Sequence, residues 1–446
     1  MGALAVAVSF VFAFSAPKLA YAADLSNESF QAILLLLGVA AFAFAITHVV
    51  TEWASRRFGV VTGVEYVVLG AIVGPFAGLL SADILNQIAP ALVLAQGSLG
   101  LLAGILLNFR NRAETSARTF GLGFVVTVGT GLAVAGIPFA ALGYFMGTTA
   151  ALQYLPQLLC AAAVASVASA APLSSLIAFL DARGEGSDVV LRTARACSSF
   201  AVVIFGLIFC LFKPASELLI GFEAGALQSF AFWFGVHLAI GTTLGLIFTL
   251  FLIRDFEDEK ILTVVIGMVI FTSGVAYYLK LSPIFVCFVL GLVLANICRQ
   301  SDHVVRMLLS VERPLYIVLF LFFGASITLD VSWPIVTGVT VLYLALRGLG
   351  RFAGGLLANR LVPSMQRLPP VGSALLAPGA LSAAMLLNFV EVFQGEAHVA
   401  ELYAGLVLAV VVSEPLAYRF SRRWLIDATD VAVAREVPPL RGGDGA

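Results

Sequence analysis

The sequence predicts an all-α polytopic membrane protein of about 13 transmembrane helices, an inverted repeat of two six-helix groups with two broken, crossing helices. Three observations carry this expectation. Hydrophobic residues make up 61% of the 446-residue chain and charged residues 11%, where a soluble domain has about a quarter charged. Apolar runs of bilayer length follow one another with short connections, since ~20 residues rising 1.5 Å each cross a ~30 Å hydrocarbon core. Two of those runs are interrupted by proline at matching places in the two halves, and paired interruptions point to a midplane site.

Residues 1–23 hold an apolar run from Ala3 to Phe14, then Pro17, then Ala20-Tyr21-Ala22, the small-residue pattern of a cleavage site. They read as a signal peptide or, because Lys18 follows the apolar run instead of preceding it, as an extra N-terminal span. Thirteen hydrophobic spans follow, at 31–50, 60–80, 86–107, 119–146, 156–180, 188–212, 227–253, 260–279, 282–298, 314–329, 334–359, 371–393 and 399–419. The transmembrane domain then covers 31–420, with a first repeat at 31–212, a linker helix at 227–253, a second repeat at 260–420 and a cytoplasmic tail at 421–446.

Positive charges test the count. Connections after odd spans carry Arg56, Arg57, Arg110, Arg112, Arg118, Arg183, Arg192, Arg195, Arg254, Lys260, Arg299, Arg306, Arg313, Arg360, Arg367, Arg419, Arg422 and Arg423, whereas those after even spans carry only Lys213 and Lys280. The positive-inside rule places the odd connections and the C-terminus in the cytoplasm and the N-terminus outside, in a plasma or inner membrane. The net charge of −1 argues against nucleic-acid binding. Five cysteines form no metal or redox spacing. No phosphate-binding glycine loop, catalytic triad or zinc pattern occurs, so neither enzyme chemistry, a metal nor a cofactor is expected. His48, His237, His303 and His398 read as interfacial, packed or loop residues.

Span 5 contains Ser169-Ala170-Ala171-Pro172, and its break is expected at Ala171-Pro172, where proline removes a donor and clashes with the preceding turn. Span 12 contains Ala377-Pro378-Gly379, a second break. Backbone opened at membrane depth survives only inside protein or beside a watery cavity. Gly70 of span 2 and Gly291 of span 9 sit in like settings, VVLGAIVGP and FVLGLVLAN. Span 11 places Arg347 near its centre and Arg351 one turn on. An arginine there costs at least ~2.5 kcal/mol and demands a partner. Glu65, Glu414 and the carbonyl-rich end of a broken helix are all open to it.

The order and spacing of GVEYVVLGAIVGP, SLGLLAGILLNFR, SPIFVCFVLGLVLA, LYIVLFLFFGASITLD and VLYLALRGLGRFAGG resemble the monovalent cation:proton antiporter superfamily, in its sodium/proton and potassium-efflux branch. The likeness spans nearly all of 31–420. It implies two crossed broken helices, a core domain that moves against a dimerising domain, a homodimer in the bilayer, and exchange of Na⁺ or K⁺ against protons. It also implies an ion site at the breaks and beside them, at Ser169, Pro172, Ser198, Ser199, Arg347 and Pro378; the intramembrane charges Glu65, Arg351 and Glu414 are the coupling or charge-balancing candidates read from the residues themselves. The chain departs from the family in one respect. Where members carry one or two aspartates, LRTARACSSFAVVIFG has Ser198 and Ser199. A hydroxyl can ligate a cation but does not titrate in this range. Three functions therefore stay open: an antiporter in which Glu65, His237 or another group takes the proton; a transporter of another solute, such as an anion drawn by Arg347 and Arg351; and a transport-inactive membrane scaffold or sensor.

Overall fold

The computed structural model describes residues 63–76, 82–109, 117–212, 226–252, 258–298, 301–361, 368–393, 398–428 and 430–431. The expected leader at 1–23 and the span at 31–50 lie outside the described residues. Within them, seven helices are long and apolar enough to cross a membrane, and five shorter apolar helices accompany them. These twelve correspond to spans 2–13.

In chain order, α1 (Val64–Ala71) runs into a π turn at Ile72–Phe76, and α2 is Ala82–Ile105. Helix α3 (Ala117–Gly131) passes through a second π turn, Leu132–Gly136, into α4 (Ile137–Phe145). Pro138 explains that widening, because its ring displaces the preceding turn. A short α5 (Thr148–Gln153) precedes α6 (Leu155–Ser166) and α7 (Ala170–Phe179), the two halves of span 5. Helices α8 (Glu185–Phe212), α9 (Ala226–Leu252), α10 (Asp258–Tyr278) and α11 (Pro283–Ile297) follow. Then come α12 (Ser301–Ala325), α13 (Trp333–Leu361), α14 (Gly379–Val392) and α15 (Val399–Ala428). A two-residue antiparallel pair, β1 (Ala182–Arg183) with β2 (Asp430–Val431), ties the end of α15 to the turn before α8.

The inverted repeat is visible in which backbones touch. Gly70 of α1 lies against the Leu321 carbonyl of α12, and Gly324 of α12 against the Val67 carbonyl of α1. In the other half, Gly291 of α11 lies against the Leu101 carbonyl of α2, and Gly104 of α2 against the Phe288 carbonyl of α11. Exchanging the halves maps one reciprocal pair onto the other. Small residues at these crossings permit backbone contact that any side chain would prevent.

One break and two helix ends lie outside the bounds read from the sequence. The break in span 5 opens at Val167–Ser169, and Pro172 sits inside the first turn of α7. Proline ejects the carbonyl four residues earlier, at Ala168, while its missing N–H is no loss among the unpaired donors of a first turn. The apolar part of span 10 starts at Leu315, close to the expected 314, but helix α12 begins at Ser301, because buried Val304 and Leu308 continue the helical spacing through a polar stretch. The C-terminal helix continues past span 13, expected at 399–419, to Ala428. Ser421 Oγ donates to the Ala374 carbonyl at 2.8 Å, and Trp424 Nε1 to that of Pro369 at 3.0 Å.

His237 is fully buried in α9. Its Nε2 accepts from the Ser282 N–H at 3.2 Å, so Nδ1 carries the proton toward the Trp233 carbonyl at 2.7 Å. Ser282 Oγ in turn donates to Asn388 of α14 at 3.0 Å. The imidazole thus pins the linker helix to the start of α11, a structural task.

Candidate functional site: the crossing of two broken helices

The breaks meet. The Ser169 N–H, between α6 and α7, donates to the carbonyl of Ala377, just before α14, at 2.8 Å. Gly379 adopts φ +65°, and a Cβ there would strike the side chain of Ser169. Pro378 stands at the cap of α14, and its carbonyl accepts from Ser382 Oγ at 2.9 Å. Extended chain at Val167–Ser169 and irregular chain at 375–378 leave carbonyls and N–H groups outside any helix ladder.

Charged side chains complete both half-helices. The C-terminal end of α6, where unpaired carbonyls carry partial negative charge, takes two guanidinium groups. Arg347 donates from Nε to the Ala165 carbonyl at 3.2 Å and from Nη2 to that of Val167 at 3.2 Å. Its Nη1 reaches Ser413 Oγ at 3.2 Å. Arg351 Nη2 bonds the same two carbonyls, at 3.0 and 2.7 Å. Arg347 is 1% exposed and Arg351 0%. Neither forms an ion pair with a carboxylate among the described residues; of the partners the sequence left open to Arg347, the half-helix end is the one it touches. At the opposite pole, Glu414 Oε1 accepts the Gly379 N–H at 3.0 Å, a carboxylate at the positive N-terminus of α14.

Two openings flank the crossing. One is lined by Ser169, Ser198, Arg195 and Glu312 among the side chains of α2, α7 and α14. Ser198 Oγ donates to the ejected Ala168 carbonyl at 2.6 Å. The other is lined by Pro172, Ala377, Glu414, Tyr418 and Ser421.

The structure thus brings Ser169, Ser198, Pro172 and Pro378 together, with Arg347, Arg351 and Glu414 around them. It does not bring Ser199, which turns away to the carbonyls of Ala103 and Arg195 at 3.2 and 3.0 Å. Glu65, half-buried in the first turn of α1, lines neither opening but stands close enough to Glu414 to act on it electrostatically. Glu312 is the residue the sequence reading missed, because it assigned 299–313 to a connection. The buried i, i+4 pair Val304 and Leu308 was the available signal that the helix starts earlier and carries Glu312 inward.

Because Ser198 faces the opening and Ser199 does not, Ser198→Asp is the substitution expected to create pH-dependent cation binding here. Isothermal titration with Na⁺ at two pH values checks this. A response from Ser199→Asp but none from Ser198→Asp would contradict the geometry.

Comparison with known proteins gives three findings. The family model described as "Sodium/hydrogen exchanger, transmembrane" matches residues 109–417. The chain is similar in structure to the sodium proton antiporter MjNhaP1 from Methanocaldococcus jannaschii at pH 8, with TM-score 0.64 and 15% identity over 89% of this chain and 99% of that one. It is also similar to the same antiporter in an electron-microscopy map, with TM-score 0.56 and 16% identity over 88% and 96% of the two chains. At such identity the likeness concerns the fold. No curated protein matches the chain significantly by sequence.

Proposed function

The chain belongs to the sodium/hydrogen exchanger family, and from that premise we propose that it exchanges a monovalent cation, Na⁺ or K⁺, for protons at the crossing of its broken helices. The observation that carries this reading is the convergence of Ser169, Ser198 and Glu312 on one opening beside the crossing. The hydroxyls and the unwound carbonyls offer neutral oxygen ligands, and Glu312 supplies the negative charge that the serines cannot. Arg195 shares the opening and offsets part of that charge.

Geometry speaks against the anion alternative. Arg347 bonds the Ala165 and Val167 carbonyls and Ser413, Arg351 bonds the same two carbonyls through Nη2 alone, and neither residue lines either of the two openings described. A pure scaffold would have little use for two membrane rods unwound at mid-depth. Both openings are lined by the parts of helices nearest the odd connections, so in the positive-inside orientation they face the cytoplasm. The homodimer implied by the family is the assembly we propose.

The test is transport in proteoliposomes under an imposed pH gradient. Na⁺, K⁺ or Li⁺ should collapse the gradient, and Glu312→Gln should slow this by about 10²-fold or more, as loss of a charged group in a site commonly does. Collapse at the wild-type rate in the variant would remove Glu312 from the site. Failure of all three cations would remove antiport itself.

A further inference from the structure

We propose that Glu414 holds the exchanged proton, and that this proton arrives through an opening separate from the one that admits the cation. The inference rests on the antiporter reading above and deepens it by assigning the two substrates to different groups.

Three features point this way. Glu414 is 4% exposed, makes no ion pair among the described residues, and has one neutral hydrogen-bond donor, the Gly379 N–H at 3.0 Å. It lines the second opening with Pro172, Ala377 and Tyr418, and no residue of that opening lines the first. The start of α7, Ser169 to Pro172, stands between them, with Ser169 on one side and Pro172 on the other. The two places are joined through the crossing itself, where the Ser169 N–H bonds the Ala377 carbonyl. A charge change on either side is therefore felt on the other through a few fixed peptide dipoles.

The groups facing Glu414 are Arg347 of α13, Glu65 of α1 and the phenols of Tyr316 on α12 and Tyr418 on its own helix. Helix α7 has no titratable side chain, and Glu391 of α14 lies at the far end of that helix. The step balances simply. When a cation settles among Ser169, Ser198 and Glu312, the O–H bond of the Glu414 carboxyl breaks and its proton passes to water in the second opening. The electron pair stays on the carboxylate, whose oxygen keeps the Gly379 N–H. One positive charge arrives as another leaves.

Glu414→Gln tests this, since the amide oxygen can still accept the Gly379 N–H. Two rates are read in proteoliposomes of the full chain: uptake of radiolabelled sodium or rubidium driven by a pH gradient, and exchange of labelled for unlabelled cation without a gradient. The variant should lose gradient-driven uptake by about tenfold or more and keep cation-for-cation exchange at the wild-type rate. Retained gradient-driven uptake would overturn the proposal and leave the antiporter reading standing, and so would loss of both rates. A wild-type protein inactive in both assays would overturn the reading and the proposal together. A second measurement does not depend on turnover. Adding cation should remove a protonated-carboxyl band from the infrared difference spectrum of the wild type, and that change should be missing in Glu414→Gln. No such band in the wild type, or the same band in the variant, overturns the assignment.

Discussion

Replacing Arg347 and Arg351 together by alanine is expected to cost far more stability than the two single replacements added. Both guanidinium groups serve the same two carbonyls, those of Ala165 and Val167. Remove one, and the other still satisfies them, so each single variant loses part of a charge-assisted hydrogen bond, about 1.5–3 kcal/mol. Mutual repulsion of the two cations is relieved at the same time, which lowers that cost further. Remove both, and two carbonyls at mid-membrane lose their donors while the partial negative charge at the end of α6 loses its counter-charge. The excess over additivity should be about 0.5–3 kcal/mol. Thermal unfolding of the four proteins in one detergent completes the cycle. Additive costs would mean that the two arginines act on separate targets.

The second large effect is expected at Gly379. Its φ of +65° disfavours any L side chain by about 1–2 kcal/mol. The added Cβ would also push against Ser169, where the two breaks are hydrogen-bonded. Gly379→Ala should therefore part the strands that form the site and reduce gradient-driven cation uptake about 10²-fold, the scale of a small misplacement of ligating groups. Gly348→Ala is the control. It lies in α13 with open space where the Cβ would go, and uptake should be unchanged. Wild-type uptake by Gly379→Ala would show that the close approach of the breaks is dispensable.

The fold was legible because the bilayer imposes it. A rod must supply ~20 apolar residues, and loop arginines must alternate in side; both constraints are written in composition. The break at Ala377-Pro378-Gly379 was legible as well, since glycine follows proline and takes the left-handed conformation. The break in span 5 was placed a few residues late, because proline disturbs the chain behind it, at Ala168, more than at its own position. Ser198 and Ser199 could not be told apart, as neighbours on a helix point about 100° from each other and only packing fixes the phase. Glu312 was hidden by a different cause. Hydropathy registers a helix only where lipid or protein makes it apolar, and the first turns of α12 are polar.

Gly70, Gly324, Gly291 and Gly104 set main chain against main chain in two places related by the repeat. Contacts of that kind have no flexible layer between them and cannot yield by rotamer change. The paired rods α1–α12 and α2–α11 are thus each a rigid strut, and any rocking that exposes the crossing to the far side of the membrane must slide along their flanks, where longer side chains can lubricate the movement.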